Sequence, residues 1–238
     1  MSTSSTSTSA AAISQSVSLV MQLNNEGIQQ LEAQNFESAI KSLSKAVSHF
    51  KKSIAVMENE NPSLEENLFF AFKLTASAMQ KTDESTSSNS FVFDSPIRIA
   101  QRQSKRQIST RRTGELLKMM SFALVFNLAL AFHLASSSVC SSKANKHLTK
   151  ALAFYKLATN MIRNENLSLG VMEALAVANN QAHVHLQLGD IKEADQCYDQ
   201  VRSQVMVVAD LGQQSNILLF EQFFATAVVK PFRTAPAA

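Results

Sequence analysis

One spacing of small and large apolar residues recurs along this chain, and it restricts the fold more than any other feature. Near the amino terminus, Gly27 is followed at helical intervals by Phe36, Ala39, Leu43 and Ala46. Near the carboxyl terminus, the same order continues from Ala182 through Gly189, Ile191, Ala194, Tyr198 and Val201. Small residues at fixed offsets let two antiparallel helices approach closely, whereas larger ones fill the space between neighbouring hairpins. The spacing therefore predicts an all-α fold of antiparallel helical hairpins.

The composition also favours helices. Only 5 Gly and 4 Pro occur among 238 residues, and 45% of the residues are hydrophobic. So few turn residues disfavour a many-stranded sheet, whereas long helices need few turns. The two cysteines, Cys140 and Cys197, are too few and too far apart for a disulfide framework or a zinc site. Because the amino terminus also lacks the pattern of a secretory signal, we expect reduced, partly buried thiols in an intracellular protein of the cytoplasm or nucleus.

The apolar periodicity divides the chain into one helical domain over residues 12–229. Its three hairpin units are predicted at residues 12–58, 115–163 and 169–209. Outside these units we predict an extra helix over 64–81, a loop insert over 82–113 and a capping helix over 217–229. The short apolar runs on both sides of Pro96 are expected to be extended and to dock on the helices. The Ser/Thr-rich residues 1–11 are expected to be disordered, and residues 230–238 form a tail.

The three units together resemble the tetratricopeptide repeat (TPR), a helical hairpin of about 34 residues. In the middle unit, Asn127-Leu128-Ala129 and Phe132 look like helix A of the repeat, and helix B is represented by Ala151, Tyr155 and Ala158. The chain departs from the family pattern because it lacks Trp throughout and carries SSSVCSSKAN as a linker inside the middle unit. The resemblance implies a short right-handed superhelix with a C-terminal capping helix and a concave face lined by helix-A side chains.

Such a superhelix implies a non-enzymatic adaptor or scaffold that binds a peptide or a partner helix on its concave face. The best understood mode in this family grips a C-terminal carboxylate with Lys, Arg and Asn on helix A. The cations are missing here, so this mode is disfavoured, although asparagine can still hydrogen-bond a peptide backbone. The candidate groove residues are Asn24, Asn127, His133, Asn180 and His183. The alternative interpretation is that these residues are solvated or capping polar groups.

A basic patch lies near the end of the loop insert, in a segment free of Asp and Glu. It contains Arg102, Lys105, Arg106, Arg111 and Arg112. Ser109 follows Arg106 at the spacing of a basophilic kinase site, so the patch is a candidate for regulation by phosphorylation, a nuclear-import signal or a solvated loop. An alternative function is a nucleic-acid-associated helical-repeat protein that uses residues 101–113. Acidic residues outnumber basic ones in the rest of the chain, which disfavours a nucleic-acid partner.

The sequence predicts no catalytic, cofactor or metal site. His183 and His185 lie two residues apart and so point to different faces of a helix, whereas metal-binding pairs on helices are three or four residues apart. No Gly-rich phosphate loop and no nucleophile elbow occurs. The apolar run over residues 119–135 is nearly long enough to span a membrane. Because Asn127 and His133 interrupt it, we predict a central buried helix and no membrane span.

Overall fold

The computed structural model of the protein describes residues 5–60, 72–76, 92–101, 111–164 and 171–210, together with residues 222, 223, 225 and 227. These residues form six long helices and a two-stranded antiparallel sheet. The helices are α1 (Ser5–Glu32), α2 (Phe36–Glu60), α3 (Arg111–Ser136), α4 (Ser141–Asn164), α5 (Val171–Leu188) and α6 (Ile191–Asp210). The strands are β1 (Phe72–Ala76) and β2 (Ile97–Gln101).

The helices pack as three sequential hairpins, which confirms the all-α prediction. Within the hairpins α1 packs on α2, α3 on α4 and α5 on α6, and the hairpins meet where α2 contacts α3 and α4 contacts α5. Gly27 and the alanines of the recurring spacing, Ala39, Ala46, Ala182 and Ala194, are buried, whereas Gly189 is exposed in the turn between α5 and α6. A Cβ atom added to Gly27 would lie 2.5 Å from Cγ of Leu43, so a larger residue fits at the crossing of α1 and α2 only if Leu43 shifts.

The first and third hairpins share one turn geometry. Gln34 and Gly189 adopt the left-handed conformation, with φ angles of 57° and 85°. In both turns this residue donates its N–H to the carbonyl three residues earlier, and the next residue donates to the carbonyl five residues earlier, which is the Schellman helix ending. The four bonds are Gln34 to Leu31 (2.9 Å), Asn35 to Gln30 (2.8 Å), Gly189 to Leu186 (3.1 Å) and Asp190 to His185 (2.9 Å).

Several helices begin earlier than the sequence suggests. Helix α1 begins at Ser5, so residues 5–11 are helical and the expectation of disorder is wrong for them. Helix α3 begins at Arg111 and α4 at Ser141, which shortens the linker between them to residues 137–140. No Pro lies in these extensions, and Gly114 in the first turn of α3 is their single Gly. The intrinsic preference against Ser, Thr and one Gly is small enough for a long helix to include them.

The extra helix predicted over 64–81 is wrong for residues 72–76, which form β1. Strand β1 pairs antiparallel with β2, and Leu74 lies opposite Ile99. Phe72, Leu74 and Ala76 alternate with polar residues, which is the period of a strand. The pairing with β2 supplies backbone hydrogen bonds that a short helix would otherwise make itself, so tertiary context overrides local propensity. Residues 64–71 and 77–81 lie outside the described part of the chain.

Residues 92–101, which we call the strap, dock on the helices as expected for the runs around Pro96. Its strand β2 contacts α1 and α3, and Ile97 and Ile99 are buried. Of the predicted capping helix over 217–229, residues 222, 223, 225 and 227 are helical, and the others lie outside the described residues. Phe223 is fully buried and stacks on Phe93 of the strap with ring centroids 5.9 Å apart.

Helix α3 is the central element, as predicted. Its segment Leu117–Ser136 is long and apolar enough to cross a membrane, with a mean hydropathy of 1.7, but 83% of that stretch is buried inside the protein. The helix contacts α1, α2, α4 and both strands. Its apolar surface is therefore covered by the protein's own elements, as in the core helix of a globular domain.

Candidate functional site

Three asparagines, one each on α1, α3 and α5, hold the backbone of the strap. Each side-chain amide accepts the N–H of one strap residue and also donates to the C=O of that same residue. Each asparagine lies two residues before a small, buried residue at the helix crossing, in the pairs Asn25 and Gly27, Asn127 and Ala129, and Asn180 and Ala182. We call Asn25, Asn127 and Asn180 the asparagine ladder.

The ladder replaces a neighbouring β-strand. In an antiparallel sheet, paired residues exchange an N–H and a C=O bond, and a carboxamide carries the same donor and acceptor side by side. Between Ile97 and Asn127, the N–H bond and the C=O bond are both 2.8 Å long. The two bonds between Phe93 and Asn180 are also 2.8 Å long. Between Ile99 and Asn25, the N–H bond measures 3.4 Å and the C=O bond 3.0 Å. The strap therefore runs from α5 across α3 to α1 as an extended chain.

The predicted groove residue of the first unit, Asn24, has a supporting role. It is fully buried, accepts a 2.9 Å bond from Nδ2 of Asn127 and donates to the Ile97 carbonyl at 3.4 Å. Its neighbour Asn25 makes the paired contact with the strap, and the sequence interpretation missed it. The signal was present, because Asn25 precedes Gly27 by the interval at which Asn127 precedes Ala129.

The three asparagines among the groove candidates are covered by the strap. Asn24, Asn127 and Asn180 have no exposed surface. A buried amide without partners would be strongly unfavourable, so side chains of this kind are retained where a polar partner is present. Here that partner is a peptide backbone, which is what the sequence predicted asparagines on this face to bind. In the described structure the backbone belongs to the chain itself.

A hydrogen-bonded relay continues from the ladder into the core. Asn180 donates to the Tyr155 hydroxyl at 3.1 Å, and that hydroxyl lies 3.3 Å from Nδ1 of His133. Nε2 of His133 lies 2.9 Å from Nδ1 of His183. Because Tyr155 accepts from Asn180, its own proton is directed to His133, which leaves the proton of Nε2 for His183. The two histidines predicted for the groove, His133 and His183, therefore lie behind Asn180 and are linked to it by hydrogen bonds through Tyr155.

Burial determines the protonation of this relay. Burial, and secondarily the charge of His183, lowers the pKa of His133 to about 3. Burial raises the pKa of Tyr155 far above its usual value. Both groups are therefore neutral near pH 7 and act as fixed hydrogen-bonding groups. His185, by contrast, faces Asp190 at 3.2 Å, in agreement with the prediction that His183 and His185 point to different faces.

The strap side chains fit distinct environments on the same face. The Phe93 ring packs between Phe126 and Phe223, with centroid distances of 6.3 and 5.9 Å. Pro96, Ile97 and Ile99 are buried. Between the two isoleucines, Nη2 of Arg98 lies 2.5 and 2.6 Å from the two carboxylate oxygens of Glu32 at the end of α1. The face therefore contacts both the backbone and the side chains of an extended chain.

The described residues offer little support for a metal site, a reactive cysteine or a catalytic cleft. Among the described residues no group of three or more His, Cys, Asp or Glu side chains is arranged to hold a metal ion. Both cysteines are free, and Cys140 is exposed, contrary to the expectation of partial burial. Burial raises the pKa of Cys197 to about 11, which makes it a weak nucleophile. A cleft of about 340 Å³ between α4, α5 and α6 contains neither His nor Cys among its lining residues.

Most of the basic patch falls outside the described part of the chain. Arg111 and Arg112 begin α3, and Arg102, Lys105, Arg106 and Ser109 lie outside the described residues. The regulatory role of this patch and its role as a nucleic-acid contact therefore stay predictions.

Comparison with protein-family models, curated proteins and solved structures found no match for this chain. The resemblance to tetratricopeptide repeats accordingly stays a prediction.

Proposed function

We propose that this protein is a non-enzymatic adaptor of TPR-like hairpins, whose concave face binds an extended peptide of a partner protein. The face is the one that α1, α3 and α5 present to the strap. The observation that supports the proposal is the asparagine ladder, in which three equivalent side chains each bind the N–H and C=O of one residue. A purely structural core position is usually filled by an apolar residue, which needs no such partner.

The ladder suits any extended backbone. Every residue except proline offers both an N–H and a C=O group, so these contacts do not depend on the strap's own side chains. Strand β1 adds a second hydrogen-bonding edge opposite the ladder. A peptide seated between the two would be bound by β-augmentation on one edge and by amides on the other. A partner helix would not be held this way, because an α-helix uses its backbone groups internally.

The strap is an intramolecular competitor for such a peptide. Because the strap is tethered to the groove, its effective concentration is high, typically about millimolar for a short flexible tether. A partner peptide therefore binds only to the fraction of molecules in which the strap has left, and its apparent affinity falls by that fraction. Weakening the strap without altering the groove should increase the apparent affinity.

The test uses a fluorescently labelled peptide with the sequence of residues 91–101. The protein variant Ile97→Asp/Ile99→Asp places two charges at positions that are buried in the strap and leaves all three ladder residues intact. Fluorescence anisotropy should show at least about tenfold tighter peptide binding to this variant than to the natural chain. Adding Asn127→Ala should remove the gain, and a scrambled peptide serves as the control.

A folded variant, as judged by far-UV circular dichroism, that fails to bind the peptide would overturn the proposal. If the variant does not fold, a second design keeps the strap in place during folding. Cleavage sites for a specific protease are inserted within residues 82–90 and 102–110, and the folded protein is then cut. Incorporation of labelled strap peptide in exchange for the cut strap supports the proposal, whereas a strap that never exchanges excludes it.

A further inference from the structure

We infer that the groove selects partner segments in which an aromatic residue is followed four residues later by an apolar–cation–apolar triplet, and that Glu32 recognises the cation. This inference rests on the proposed function, because it names the class of peptide that the same face would bind. The strap itself carries the pattern as Phe93, Ile97, Arg98 and Ile99.

The apolar positions are set by burial. Ile97 and Ile99 are 5% and 0% exposed, and both occupy positions whose backbone groups pair with the ladder. In an extended chain, residues two apart point to the same side, so one face of the triplet is apolar. Phe93 occupies a separate aromatic site between Phe126 and Phe223. A peptide that lacks these side chains would leave the apolar surface of the groove in contact with water.

The middle position of the triplet faces an acid. One nitrogen of Arg98 contacts both carboxylate oxygens of Glu32, and both side chains are 31% exposed. The pair is thus partly withdrawn from water. In such a partly buried position, charge complementarity contributes more to discrimination between partners than to binding affinity. An acidic residue at this position would place two like charges together, so Glu32 rejects acidic triplets as well as favouring basic ones.

The preferred occupant is a segment of another protein. A second copy of this chain is the competing occupant, but its strap would make only the contacts that the tethered strap already makes and would lack the effective concentration that tethering supplies. Charge complementarity with Glu32 is common to both cases, so the experiment has to separate them by the size of the complex.

The experiment compares two labelled peptides on the Ile97→Asp/Ile99→Asp protein. One peptide has the sequence of residues 91–101, and the other carries Arg98→Glu. The natural peptide should bind about tenfold more tightly, because a favourable pair is lost and a repulsive one is introduced. Adding Glu32→Arg to the protein should reverse this preference. Adding Glu37→Arg instead is the matched control, since Glu37 is exposed on α2, pairs with Lys143 and should leave the preference unchanged.

Equal binding of both peptides, with normal affinity, would overturn the inference while leaving the proposed function intact. If neither peptide binds, the result counts against the proposed function itself. Light scattering of the natural chain distinguishes the occupants. A monomer at high protein concentration supports a partner protein, whereas a dimer that Arg98→Glu abolishes would reassign the groove to the strap of a second copy.

Discussion

Replacing Asn127 with alanine tests whether the ladder, rather than apolar packing alone, holds the strap. The change removes three hydrogen bonds, to the N–H and C=O of Ile97 and to Oδ1 of Asn24. The Ile97 carbonyl keeps a weaker bond from Asn24 at 3.4 Å. Two buried groups, the Ile97 N–H and Oδ1 of Asn24, are thus left without the partners they have in the natural protein.

The expected loss of stability follows from the desolvation of these two groups. Each buried donor or acceptor without a partner is unfavourable by about 1–3 kcal/mol, so the free energy of unfolding should fall by about 2–6 kcal/mol. A domain is typically stable by about 5–15 kcal/mol, which makes this loss a large fraction of the total. Urea unfolding followed by far-UV circular dichroism measures the change. An unchanged m-value, the slope of the unfolding free energy against urea concentration, indicates that the variant and the natural protein expose the same amount of surface on unfolding.

Asn145→Ala provides the matched control, because Asn145 is exposed on α4. It should change the free energy of unfolding by no more than about 0.5 kcal/mol. A loss below about 1 kcal/mol for Asn127→Ala, with the control near zero, would refute the reasoning. In that case, the ladder would hold the strap no more firmly than a solvated amide does.

Three further predictions concern packing, pH and turns. Gly27→Ala should destabilise the protein by about 1 kcal/mol, because overpacking against Leu43 exceeds the gain in helix propensity; the same change in a Leu43→Ala background should become neutral or stabilising in urea unfolding. Because burial lowers the pKa of His133 to about 3 from 6.5, the unfolded chain binds the proton more readily, and stability is lost as pH falls from about 6.5 toward 3. Between about pH 7 and pH 5 the loss from this group is about 2 kcal/mol, and a His133→Gln variant with the same pH profile as the natural protein would contradict it. Gln34→Gly should raise the free energy of unfolding by up to about 1 kcal/mol in thermal or urea unfolding, and Gly189→Ala should lower it by a similar amount, since both residues have positive φ angles. If Gln34→Gly lowered the free energy of unfolding and Gly189→Ala raised it, the left-handed conformation would be excluded as the cause of these stability changes.

Local pattern was sufficient for much of the fold. The spacing around Ala39, Ala151 and Ala194 predicted three hairpins, because period and residue size determine which helix faces can approach each other. All three residues are fully buried. The same register predicted a central buried helix over residues 119–135 and indicated Asn127 and Asn180 as polar positions on the helix-A face.

The partners of these positions were not predictable from local pattern. Residues 72–76 have the alternation of a strand within a segment that is otherwise predicted as a helix, and the pairing with β2 decides between the two. Asn25 has the same interval to a small residue as Asn127, but the backbone of Ile99 beside it decides that Asn25, rather than Asn24, makes the paired contact. Both decisions depend on contacts between residues far apart in the chain, which local periodicity and propensity do not specify.

Local sequence is enough to specify the hairpins and the amides on one face, because helical spacing and side-chain chemistry are local properties. What those amides bind depends on tertiary contacts. A buried carboxamide is stable only when its donor and acceptor are both satisfied, and residues 92–101 supply that match from elsewhere in the chain. The face predicted to hold a peptide therefore holds a segment of the chain itself, and the proposed function requires a partner to compete with that segment.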